Sequence, residues 1–208
     1  MTRSRPLALI LLAAGLLAAG TPTEAQAPAD AARGHALFEQ KQCSHCHQPR
    51  GQRGDGPALE DIRRPQGALE LAGRIWNHAP VMFALLKQQG LEWPQIGAAE
   101  MADLMAYLQA DAARDPAPDL YQGQVLLIRK GCLKCHRLRG EGGSVGIEFT
   151  QYHTGYQSPV AWATTIWNHS SRMAGHFARL GVLYPRFTGD EMVNLFGFLK
   201  GSAEVSPR

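Results

Sequence analysis

The chain has 208 residues, of which 45% are hydrophobic and 19% charged, with a formal net charge of +3. That apolar content excludes a disordered chain, and so small a net charge speaks against a nucleic-acid partner. The length suits two compact domains of about 80 to 100 residues, each with a limited core that a bound cofactor would help to fill.

Residues 1–27 read as an export signal. Arg3 and Arg5 supply a basic start, Leu7 to Ala19 an apolar run, and Ala25-Gln26-Ala27 a small-residue cleavage pattern. Pro28 makes cleavage after Ala25 a competing site, and an uncut N-terminal anchor is the alternative, although the run is short for a bilayer span. The expected location is the periplasm.

A first helix should start at Asp30, whose carboxylate can accept from free amides of the first turn. With Leu37 and Phe38 on its apolar face, it runs to just before Cys43-Ser-His-Cys46-His47. Gly56-Pro57 follows, then a middle helix at about 67–78 that ends in Ile75-Trp76-Asn77-His78. Met82 lies beyond it, in a stretch where Pro80 disturbs any continuing helix. A closing helix places Met101, Leu104, Met105 and Leu108 at helical spacing, with Glu100 in the first turn, where the helix dipole favours negative charge. Residues 111–118 contain Pro116 and Pro118 and read as a semi-stiff linker.

The chain then repeats itself. A shift of 89 residues lays Asp30 on Asp119, Gly34 on Gly123, and the first Cys-x-x-Cys-His on Cys132-Leu-Lys-Cys135-His136. After the motif the shift becomes 91, with the second middle helix expected at about 158–169. This shift superposes Trp76-Asn77-His78 on Trp167-Asn168-His169, Met82 on Met173, Trp93-Pro94 on Tyr184-Pro185, and Met101 on Met192. The expected units are residues 29–110 and 119–201, with a tail at 202–208. No alternating strand run occurs, so the fold class is mostly α, in two tandem helical domains.

All four cysteines fall in the two Cys-x-x-Cys-His strings, the attachment signature of c-type haem. Two thiols at this spacing can each bond one vinyl group of the same haem, and the following histidine is then placed under the iron. A zinc half-site would draw on further cysteines or paired histidines. A redox Cys-x-x-Cys would expect a βαβ setting.

On these residues the chain resembles the class I cytochromes c, twice over. In plan it is similar to the dihaem cytochromes of the c4 type, although Trp-Asn-His-x-x-x-Met departs from their usual distal sequence. The resemblance implies two covalently bound haems c, with Cys43, Cys46, Cys132 and Cys135 attached and His47 and His136 as proximal iron ligands. It also implies that the carbonyl after Gly56-Pro57 holds the proximal histidine's other ring nitrogen, with Val145-Gly146 in that place in the second copy. Three pairs are open as distal ligand: His78/His169, Met82/Met173 and Met101/Met192. The last lies within the closing helix, where methionine most often fills core. Met82 and Met173 are favoured, because the family's distal methionine follows the middle helix in a loop. Trp76 and Trp167 are expected to pack on the haem edge. Asn77 and Asn168 are expected to bond the distal ligand or cap a helix. His45 is expected at the surface, and His35, His153 and His176 have no counterparts in the other copy.

Charge divides unevenly. Residues 29–110 hold 8 basic and 9 acidic side chains (−1), and residues 119–201 hold 9 and 5 (+4). Lys130, Lys134, Arg137 and Arg139 cluster at the second motif, either to offset haem propionates or to dock an acidic redox partner. The expected function is electron transfer between redox proteins, which can include a membrane-associated complex. The alternatives are a small peroxidase-like haem enzyme and a cytochrome subunit of a larger dehydrogenase or oxidase.

Overall fold

The computed structural model describes residues 28–205, so the expected export signal lies outside the described residues. Helix α1 (Ala31–Gln40) starts as expected: the Asp30 carboxylate accepts from the Arg33 amide at 2.7 Å. A short turn α2 (Leu59–Ile62) leads to the long α3 (Ala68–Gln88), and α4 (Ala98–Tyr107) closes the first half. The second half runs through α5 (Leu120–Arg129), capped by Asp119, then α6 (Pro159–Leu180), capped by Ser158, and α7 (Glu191–Val205). The closing helix thus continues past the expected end at 201 and buries Ser202 and Ala203. Sheet is minimal. Gln66–Gly67 pairs in parallel with Ala110–Asp111, and Arg137–Leu138 pairs antiparallel with Glu141–Gly142.

In each half the first helix crosses the last. Gly34 and Gly123 sit at the crossings, where a Cβ would collide with the backbone carbonyl of Asp103 or Asn194. Above these crossed pairs, α3 and α6 pack on each other along their length. One apolar core therefore runs through both halves, from Phe38, Leu71 and Met101 to Leu127, Met192 and Leu199.

The middle helices correct an expectation. They do not end at His78 and His169 but continue to Gln88 and Leu180, with Pro80 inside α3. Pro80 does remove one backbone donor. However, α3 and α6 pack on each other, and both carry buried alanines, Ala72 and Ala79 on one and Ala163 and Ala174 on the other. Tertiary packing of this kind outweighs a local break. The linker also differs from a free spacer. Ala112–Arg114 forms a 3-10 turn, and the Asp115 carboxylate accepts from the Leu69 amide at 3.0 Å, capping α3. Among the described residues, no helix is long and apolar enough to cross a membrane.

Candidate haem sites

Each Cys-x-x-Cys-His string follows a first helix. The residue before its first cysteine, Gln42 or Gly131, is left-handed (φ 62° and 74°), and a 3-10 turn carries the chain through Cys43–His45 or Cys132–Lys134. This turn sets both thiols and the following histidine along the wall of one cavity. The first cavity, of about 240 Å³, is lined by Cys43, Cys46, His47, His78, Met82 and Met101, among others. The second, of about 640 Å³, has Cys132, Cys135, His136, His169, Met173 and Met192 at matching positions.

The proximal histidines are oriented by backbone. His47 Nδ1 lies 3.0 Å from the Pro57 carbonyl, as expected, and His136 Nδ1 lies 3.2 Å from that of Ile147. The second contact shifts the expected correspondence by one residue: Gly146-Ile147, rather than Val145-Gly146, stands in for Gly56-Pro57. At both glycines a Cβ would strike the imidazole ring, so a side chain there would push the histidine out of place. A carbonyl on Nδ1 places the proton there and leaves Nε2 with the lone pair to bind a metal.

Burial pushes the thiols of Cys43 and Cys132 up to about 11, which leaves both protonated. A redox thiol needs the opposite shift. Among the described residues, no group of three or more His, Cys, Asp or Glu side chains converges to hold a metal ion. Neither rival reading of the motif finds support.

On the opposite wall, α3 and α6 supply His78 with Met82, and His169 with Met173, each pair one helical turn apart. The methionines are therefore on helices, not in the expected loops. His78 is pushed down, first by burial and then by His47, Arg186 and Arg74. His169 falls to about 4, through burial, Arg172 and His136. Both imidazoles are thus held neutral. Met101 and Met192 are buried core residues, and the Met192 sulfur accepts from the Trp162 indole at 3.2 Å.

The tryptophans and asparagines act across the molecule. Trp76 lines the second cavity, and its indole N–H donates to the Pro185 carbonyl at 2.6 Å. Trp167 lines the first cavity and donates to the Pro94 carbonyl at 2.7 Å. Asn77 clamps the backbone of Phe187, donating to its carbonyl at 2.5 Å and accepting from its amide at 2.7 Å. Asn168 does the same to Ile96, at 2.7 and 3.1 Å. In place of the expected contacts within one half, Trp-Asn joins the two halves. The repeat of Trp93-Pro94 as Tyr184-Pro185 was the available signal, since these segments receive the clamps.

The site residues fit a haem. The cavity walls are largely apolar, with thiols and an oriented imidazole on one side. Arg74 lines the first and Arg172 the second, which puts a positive charge on each wall. The Tyr156 hydroxyl, on the wall of the second cavity, is buried without a partner and would take a polar group of an occupant. Sequence reasoning had not singled out Arg74, Arg172 or Tyr156, because isolated arginines and tyrosines carry no motif.

Residues 31–110 match the Cytochrome c family model. That stretch is similar to a cytochrome c domain. The match supports a c-type cytochrome, and the family implies covalently bound haem c, with its iron, and suggests electron transfer. Comparison with curated proteins and with solved structures gave no match. The matched residues include Cys43, Cys46 and His47, as well as His78 and Met82.

Proposed function

We propose that the protein is an exported dihaem electron carrier with one haem c in each cavity, working in the periplasm. Residues 29–110 and 119–201 are the two cytochrome units. Cys43 and Cys46 hold one haem and Cys132 and Cys135 the other, with His47 and His136 as proximal ligands. The observation that carries this reading is the recurrence, in the second half, of the first half's thiol, imidazole and helix arrangement around a cavity. Bound haem supplies a one-electron iron centre, and the chain's own residues orient, bury and insulate it.

The reciprocal clamps bear on what two such centres would do. Trp76 and Trp167 each sit on the helix that lines one cavity and reach the wall of the other. Each tryptophan would thus link the helix of one haem site to the wall of the other. The redox partners are proteins. An acidic one meets the second unit, where Lys134, Arg137 and Arg139 are exposed. Lys130 takes no part in this face, because it pairs with Glu191 at 2.8 Å. The partner on the other side can belong to a membrane-associated redox complex.

An electron carrier keeps both irons six-coordinate, whereas a haem enzyme keeps one face open. The spectrum of the reduced full chain should therefore not change on adding carbon monoxide. A rapid, full shift at either haem would replace this reading with the peroxidase-like one.

A further inference from the structure

In each cavity a second imidazole stands close to the proximal one. The His47 and His78 centroids are 5.7 Å apart, and those of His136 and His169 are 6.0 Å apart. With a metal–nitrogen bond of about 2 Å, each ring centroid would lie about 3.2 Å from the metal, so two imidazoles holding one metal from opposite sides would have centroids at most about 6.3 Å apart. A ring that merely rested on the far face of a haem would keep a contact of about 3.5 Å from its plane. Added to the proximal distance, that puts the centroids at least about 6.5 Å apart before any sideways displacement. Had Met82 held the iron, His78 would also have to stand aside from the sulfur, and the separation would be larger still. Both observed separations match the axial pair.

We propose that His78 and His169, rather than Met82 and Met173, are the distal iron ligands, which makes both haems bis-histidine. This assignment rests on the reading that each cavity holds a haem. Each His–Met pair is one turn apart, so only one member can stand over the iron. The remaining methionines, half-buried and packed on the core, then serve as apolar walls beside the haem. Two imidazoles keep the potential lower than a methionine ligand does.

The test uses the full chain matured in cells with haem-ligation machinery. Haem content by mass is determined first, then the near-infrared and low-temperature magnetic resonance spectra of the oxidised protein. The expected result is a low-spin bis-imidazole signal with no sulfur–iron band, unchanged in Met82→Ala and Met173→Ala. His78→Met should introduce that band and raise the potential of one haem. A sulfur–iron band in the wild type that is lost in Met82→Ala or Met173→Ala overturns the assignment for that half. A folded, exported chain without haem overturns the functional reading instead, and the mass measurement separates the two failures.

Discussion

The two halves of the molecule agree where they face each other and differ where they face solvent. On the distal side Trp, Asn, His and Met recur at one spacing, and each Trp–Asn pair makes the same bonds to the opposite half. On the proximal side the first half has Gly56-Pro57 and the turn α2. The second has a small hairpin, and Phe149 stacks on His136 with ring centroids 4.6 Å apart. His136 is buried as a result, while His47 stays half-exposed. The contrast teaches that the residues recurring in both halves are those whose contacts the opposite half depends on. A loop that only has to deliver one carbonyl to Nδ1 is free to change length and conformation.

That comparison breaks most readily at the clamps. Asn77→Ala and Asn168→Ala each remove two cross-half hydrogen bonds and strand partly buried backbone groups on the other side. Each should cost about 1–3 kcal/mol. Thermal unfolding should show similar losses for the two variants. A loss confined to one of them would mean that the clamps are not equivalent.

A smaller effect distinguishes the halves by pH. Asp103 Oδ1 accepts from the Asp30 amide at 2.7 Å, and its counterpart Asn194 accepts from the Asp119 amide at 2.8 Å. The geometry is the same, but only one of the pair titrates. Hydrogen bonding to the Arg33 guanidinium holds the Asp103 carboxyl below its usual range. A depressed carboxyl contributes stability above its unfolded pKa, near 4, and that contribution is lost as pH falls through the lower folded value. Acid unfolding should therefore loosen the contact between α1 and α4 before that between α5 and α7. Asp103→Asn should weaken the first contact at neutral pH and flatten its acid response. Identical acid profiles for wild type and variant would show that the pair contributes nothing.

Much of this arrangement was legible in residues whose partners are close in sequence. The Asp30 and Asp119 caps were readable because they bond amides three residues on. The two Cys-x-x-Cys-His strings were readable as units because their residues are close in sequence, and each lines one cavity. Other features depend on distant partners. The ends of the middle helices were misread because Pro80 is a local signal, whereas packing against α6 decides the outcome. The purpose of Trp76 and Asn77 was hidden because a repeated residue can serve its own unit or its neighbour with the same spacing. The setting of Met82 was obscured in the same way, since the expected loop around it became the second half of a helix.

The central claim is that both cavities, and not only the one within the family match at 31–110, carry covalently bound haem. Intact mass of the exported full chain tests it most directly. The account predicts a mature protein with two haems added, falling to one in Cys46→Ser and to one in Cys135→Ser. A wild type carrying one haem, unaffected by Cys135→Ser, would contradict it.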